Sequence, residues 1–193
     1  MTALPTSSPP ITPEEFLAMP DDEAIAYELV DGQLVERNMG AESSLIAARI
    51  IVLLGSFLED RPLGSVFTSE TTYQCFVDAP KKLRRADVSF VRKDRLPDGR
   101  VPKGQFRIAP DLAVEVISPG DKSEEVDAKT LEWLGAGVSL LWVVSPATRT
   151  VRIHRPRASA AEPISFLTVE DTLVGEEVLP GFSCSVAEIF QGI

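Results

Sequence analysis

The sequence predicts an α/β domain: a mixed central sheet flanked by helices. Residues 111–117, Asp-Leu-Ala-Val-Glu-Val-Ile, show apolar side chains on both faces of an extended chain, the pattern of a strand covered on both sides. Residues 45–58 form an apolar stretch interrupted by Arg49 and Ser56, which reads as a buried core helix and is too short to span a membrane. Helical and strand-like patterns follow one another along the chain in the order expected of a sheet with helices on its faces. At 193 residues, 44% hydrophobic and 25% charged, the chain suits one soluble domain with its own core. That domain is expected over residues 12–193. It follows a flexible tail at 1–11 that has neither the basic start nor the apolar run of a secretory signal.

Thr12-Pro13-Glu14-Glu15 opens a short helix, with threonine as cap, proline at the first helical position and glutamate at the third. The helix ends at Pro20-Asp21. Tyr27-Glu28-Leu29-Val30 and Gln33-Leu34-Val35-Glu36 flank Asp31-Gly32, which readily takes the positive φ angles of a two-residue hairpin turn. A helix over 43–59 places Leu45, Ile46, Ile50, Leu53, Leu54 and Phe57 on a wide apolar face. Strands follow over 66–77 and 85–91, then a turn-rich segment over 94–105 around Pro97-Asp98-Gly99. The strand at 111–117 stops at Ser118-Pro119-Gly120. A helix over 122–136 has Asp121 as its cap and Gly137 as its terminator. A hairpin of 139–144 and 150–154, a strand over 164–169 and a helix over 186–190 complete the chain.

Composition narrows the chemistry. Cys75 and Cys184 are far apart and lack metal-ligand spacing, so a reducing, cytoplasmic compartment is expected. The single histidine, His154, read as an exposed hairpin residue, excludes schemes that need several positioned imidazoles. A net charge of −10 argues against tight nonspecific binding to nucleic acid. Residues 81–107 reverse that sign locally. Ten lysines and arginines there face three aspartates, giving +7 and leaving −17 for the remainder. Both a solvated loop and a phosphate-attracting patch fit this segment.

Glu115 is the leading candidate for chemistry. It shares a strand face with Ala113 and Ile117, and an ionised carboxylate there costs several kcal/mol unless a cation pairs with it. A buried salt bridge and a metal ligand both meet that need. Asp87 is its natural partner, because aspartate is disfavoured within a strand and alternates here with Ala86, Val88 and Phe90. Two carboxylates on adjacent strands would supply the hard oxygens that Mg²⁺ (or Mn²⁺) prefers, and such an ion acidifies bound water and neutralises charge on a phosphodiester. Lys129 follows Val126 and precedes Trp133 and Ala136 on one helical stripe. Its ammonium is either aimed at the site, turned outward, or paired with Glu125 or Glu132 one turn away. Glu28 and Glu70 are weaker candidates, read first as surface residues.

These residues together resemble the Uma family of the PD-(D/E)XK nuclease superfamily. The likeness runs over about 12–190 and is carried by Tyr27-Glu28-Leu29-Val30-Asp31-Gly32, Arg85-Ala86-Asp87-Val88-Ser89-Phe90 and residues 110–119. Residues 129–144 and Leu179-Pro180-Gly181-Phe182 complete it. The resemblance implies a restriction-endonuclease-like core with Asp87 as first acid, Glu115 as second, and Glu28 as the acid from the N-terminal region. Ile117 occupies the motif's lysine position, and Lys129 from the following helix is the implied substitute. Ala86 replaces the usual proline. The expectation is a Mg²⁺-dependent endonuclease acting on DNA, with Asp87 and Glu115 holding the metal and a homodimer as one arrangement. A non-catalytic binding or scaffold module and a phosphodiesterase for RNA or nucleotides are the alternatives.

Overall fold

The protein is described by a computed structural model covering residues 10–37, 40–156 and 162–193. Most of the expected tail lies outside the described residues. Its last member, Ile11, donates its N–H to the Gly32 carbonyl at 2.8 Å.

The chain begins with helices α1 (Pro13–Leu17) and α2 (Asp21–Ala24) and a hairpin of β1 (Tyr27–Val30) and β2 (Gln33–Glu36). The first helix has the expected capping box, in which the Thr12 hydroxyl accepts from Glu15 N and the Glu15 carboxylate accepts from Thr12 N. Asp31 and Gly32 turn the hairpin with φ of 51° and 79°. Helix α3 (Ala41–Leu58), strands β3 (Gly64–Thr68), β4 (Val88–Arg92) and β5 (Leu112–Val116), and helix α4 (Ser123–Gly135) come next. Strands β6 (Leu140–Ser145), β7 (Thr150–His154), β8 (Ile164–Leu167), β9 (Thr172–Val174) and β10 (Ser183–Ser185), with helix α5 (Val186–Ile189), finish the chain.

Six strands form the central sheet in the order β3-β4-β5-β6-β7-β8. Every neighbouring pair is antiparallel except β5 and β6, which are parallel. A parallel pair needs a crossover, and α4 is that crossover. One face of the sheet, with Val88, Phe90, Val114, Val116, Trp142 and Val144, packs against α3 and the C-terminal elements. The opposite face, with Ala113, Leu141 and Val143, packs against Trp133 of α4 and the aromatic side chains Tyr73, Phe76 and Phe106. All five residues of β5 are buried, which explains its apolar composition on both faces.

Several expectations are corrected. The strand expected over 66–77 is only five residues long, and 69–86 runs irregularly, tied by isolated bridges of Tyr73 to Arg84 and Phe106. The strand expected over 85–91 begins at Val88, so Asp87 precedes it. The cap of α4 is Lys122, whose side chain makes no capping bond. Asp121 instead accepts the Ser118 N–H at 2.7 Å and closes the turn after β5. Helix α3, at 18 residues with mean hydropathy of 1.7, is long and apolar enough to cross a membrane, contrary to the shorter stretch read from the sequence. In this fold its Ile46, Ala47, Ile50 and Leu54 are buried against the sheet. His154 is buried and its Nε2 has no partner among the described residues, because β7 is an inner strand covered by β8. Two strands in the C-terminal region, β9 and β10, carried no recognisable pattern at three residues each.

Gly64 opens β3 where a Cβ would stand 2.2 Å from the Val91 carbonyl oxygen and 2.6 Å from the Phe90 ring. Neither backbone nor a packed ring can yield cheaply. Gly64→Ala is therefore expected to destabilise the protein by about 2 kcal/mol or more, measured as a lowered midpoint in urea denaturation.

Candidate active site

Three acids from separate parts of the chain converge at the C-terminal end of β5. Glu115 lies opposite Val143 of β6 on the sheet face covered by α4. Asp87 is pinned to β5 from both ends: its N–H donates to the Val114 carbonyl at 3.0 Å, and its Oδ2 accepts the Val116 N–H at 2.7 Å. Glu28, in the β1 strand, accepts the Arg85 N–H at 2.7 Å. All three are buried, with Asp87 8% exposed and Glu115 9%. Glu28, read first as a surface residue, is only 4% exposed because the hairpin folds over the segment before β4.

Lys129 enters this cluster from α4. Its Nζ lies 2.9 Å from Glu115 Oε2 and 3.2 Å from Glu28 Oε1, and donates to the Arg85 carbonyl at 3.2 Å. The pairing with Glu125 or Glu132 does not occur: Glu125 binds Lys122, and Glu132 binds Lys82 and Arg84. Trp133, one turn beyond Lys129, donates its indole N–H to Glu115 Oε1 at 2.7 Å. The same helical stripe therefore grips both oxygens of Glu115. Arg84 bridges Glu28 at 2.9 Å and Glu132 at 2.7 Å, and Arg37 approaches Asp87 Oδ1 at 3.3 Å.

Several of these partners went unnoticed in the sequence. Trp133 shares a stripe with Lys129 and was the one legible hint. Arg84 and Lys82 belong to the basic segment that fits either a solvated loop or a phosphate-attracting patch, yet both are paired with Glu28 and Glu132. Arg92 and Arg95 likewise pair with Asp111. Only non-local contacts decide this, so no local pattern exposes it. Arg37 gave no signal. Glu70 is exposed and stands outside the cluster.

Burial raises the Glu115 carboxyl to about 7; Lys129 pulls it down, and neighbouring Asp87 and Glu28 push it further up. Burial likewise raises Asp87. Glu28 behaves oppositely. Burial opposes its ionisation, but Lys129, Arg84 and the Arg85 N–H together hold it at about 2. Burial disfavours the charged form of Lys129, yet Glu115, Glu28 and Asp87 outweigh it and keep the ammonium protonated. The result is one firmly ionised acid, one fixed cation, and a pair of crowded carboxylates sharing insufficient positive charge. A cavity of about 400 Å³ opens beside them, lined by Glu28, Arg37, Asp87, Glu115, Ser118 and Lys129.

The donor chemistry fits a hard divalent cation at Asp87 and Glu115, since each offers carboxylate oxygens, burial disfavours ionisation of both, and the Asp87 charge disfavours it further in Glu115. Among the described residues no three His, Cys, Asp or Glu side chains form a ready-made cage, so protein ligands would leave coordination positions to water and substrate.

A family model, Uma2, described as "putative restriction endonuclease", matches residues 13–187. The chain belongs to the Uma2 family. No curated protein matches it. Among solved structures, this Uma2 protein is similar to a DUF820 protein from Anabaena variabilis ATCC 29413 described as a "putative nuclease". The TM-score is 0.77 at 23% identity, covering 94% of this chain and 98% of that one. At that identity the likeness shows a shared fold, with the mixed six-stranded sheet and its flanking helices.

The crowding of Glu115 gives a pH-dependent stability. Its folded value, about 7, lies above the ordinary 4.5, so the folded state binds the proton more tightly. The cost of the ionised group is absent below about pH 4.5, grows as the pH rises toward 7, and is complete above. Glu115→Gln should therefore stabilise the metal-free protein by roughly 3 kcal/mol at pH 8 and by little at pH 4. Thermal unfolding of both proteins across that range is the measurement.

Proposed function

We propose that this Uma2 protein is a metal-dependent nuclease that hydrolyses phosphodiester bonds in DNA. The observation carrying the proposal is that buried Asp87 and Glu115 line one open cavity, where the Asp87 charge disfavours ionisation of Glu115 and the Lys129 ammonium lies against Glu115. Asp87 and Glu115 would hold Mg²⁺ or Mn²⁺. When bound, such an ion would acidify a water molecule and offset charge gathering on the phosphate.

The chain's own groups supply the rest. Lys129 remains a cation and so serves as a hydrogen-bond donor and a positive charge, never as a base. Trp133 locks the Glu115 orientation, which limits wasteful rotation of the carboxylate. Glu28, ionised and held by Arg84 and the Arg85 N–H, positions Lys129 from the other side. In hydrolysis, a water molecule gives up one proton to solvent as its oxygen bonds to phosphorus, one P–O ester bond breaks, and the departing alkoxide takes up a proton from solvent. The two cysteines are free and sit in separate core clusters, which suits a reducing cytoplasmic setting.

One observation favours the rival reading of a non-catalytic module. Lys129 already has three oxygen partners for its three N–H groups, a saturated arrangement that needs nothing further. Catalysis would require Lys129 to exchange one of them for substrate or water.

The test is cleavage of plasmid and single-stranded DNA in Mg²⁺ or Mn²⁺, with and without chelator. Asp87→Ala and Glu115→Ala are each expected to remove activity by on the order of 10³-fold or more, and Lys129→Met by roughly 10²-fold. Equal background in all samples would reject the enzyme. Titration calorimetry with Mn²⁺ separates the rival module, which predicts no carboxylate-dependent heat.

A further inference from the structure

Arg84 and Arg85 are neighbours with opposite fates. Arg84 turns into the acidic cluster and is neutralised there by Glu28 and Glu132. Arg85 sends its side chain into a second pocket, about 380 Å³ in volume, walled by Phe16, Met19, Thr72, Lys103 and Phe106. Arg85 is only 7% exposed. Its Nε donates to the Thr72 hydroxyl at 3.0 Å, and its guanidinium lies 5.8 Å from the centre of the Phe16 ring. Its Nη1 is buried and has no hydrogen-bond partner among the described residues.

Such a group demands explanation. A guanidinium cannot shed its charge as a buried lysine can, and a buried N–H left without an acceptor is destabilising, the more so when it is charged. The carboxylates at this pocket, Asp21 and Glu70, are exposed, and neither forms an ion pair with Arg85. A second cation adds to the imbalance. Arg37, whose Nη1 donates to the Ser69 carbonyl at 3.0 Å, is close enough to repel the Arg85 charge while its other end reaches Asp87. Arg37 thus stands between the second pocket and the candidate metal ligand.

We propose that Arg85 is the floor of a phosphate subsite, taking a backbone phosphate of the nucleic-acid strand whose scissile bond lies at Asp87 and Glu115. This assignment rests on the nuclease reading and adds to it a binding position outside the acidic cluster. A phosphate oxygen supplies the acceptor that Nη1 lacks and adds negative charge against Arg37 to that already felt from Glu28, Glu70 and Asp21, and the planar fork of arginine matches that geometry. Lys103 at the same pocket adds a second positive charge toward the incoming strand. A single deep anion position also reconciles phosphate binding with a net charge of −10: affinity comes from one sheltered contact, not from a broad basic surface.

Binding of a labelled single-stranded oligonucleotide and of its duplex, followed by fluorescence anisotropy without divalent metal, tests this directly. Arg85→Met is expected to weaken binding by tenfold or more, and to reduce the slope of log K against log salt by about one. Arg85→Lys should fall between, and keeps the test usable if the methionine variant does not fold. Unaltered affinity and slope in both variants overturn the subsite, as does failure of the wild type to bind either oligonucleotide. Thermal protection by inorganic phosphate without competition from the oligonucleotide also overturns it, by making the pocket one for the free ion. Cleavage assays keep the two readings apart. Arg85-dependent binding without metal-dependent cleavage preserves the subsite and rejects the nuclease, whereas cleavage with Arg85-independent binding does the reverse.

Discussion

The whole site depends on two carboxylates being held where water cannot reach them freely. Asp87 is bound through its own N–H and its Oδ2 to the backbone of β5, so it cannot swing away from Glu115. Glu115 is fixed by the Trp133 indole and the Lys129 ammonium. Neither acid can relieve the repulsion by moving. The protein answers with a ring of counter-charges: Glu28, Glu132, Asp87 and Glu115 are matched by Lys82, Arg84, Lys129 and Arg37. Formal charge balances, but distribution does not, because Arg84 and Lys82 serve Glu28 and Glu132, and among the described residues the ion pair of Asp87 is the 3.3 Å contact to Arg37. That uneven sharing separates a Glu28 fixed at about 2 from a Glu115 near 7.

The topology makes this arrangement possible. Parallel pairing of β5 and β6 compels a helical crossover, and the crossover helix lies on the face where Glu115 points. Lys129 and Trp133 are four residues apart on that helix, so one turn delivers a cation and an N–H donor to the two oxygens of the same carboxylate. Ile117 follows the end of β5 and brings no charge to Glu115; the cation beside Glu115 comes from α4 instead. The β1–β2 hairpin closes the other side, bringing Glu28 onto Lys129.

What could be read from the sequence was whatever local periodicity encodes. The strand carrying Glu115 was legible because an acid interrupts a run that is apolar on both faces. The Lys129–Trp133 stripe was legible because a helix repeats every three to four residues. The Asp-Gly hairpin and the Thr12 capping box were likewise written in adjacent residues. Asp87 reads as a strand residue, since alternation cannot show that the ladder begins just after it, at Val88. Glu28 looked like a surface residue because its burial comes from chain 57 positions away. The fate of the basic segment was equally hidden: whether Arg84 meets solvent, phosphate or Glu28 is a question of tertiary contacts alone. Short strands such as β9 and β10 take their shape from the core they cover, not from their own three residues.

If Asp87 and Glu115 form one cation site and not merely two buried ion pairs, a divalent ion must bind between them. Crystals soaked in Mn²⁺ and measured at the manganese absorption edge address it most directly. An anomalous peak is expected within coordinating distance, about 2.2 Å, of carboxylate oxygens from both acids, absent in Glu115→Gln crystals. A featureless map between them at saturating Mn²⁺, with Lys129 still bridging Glu115 and Glu28, would contradict it.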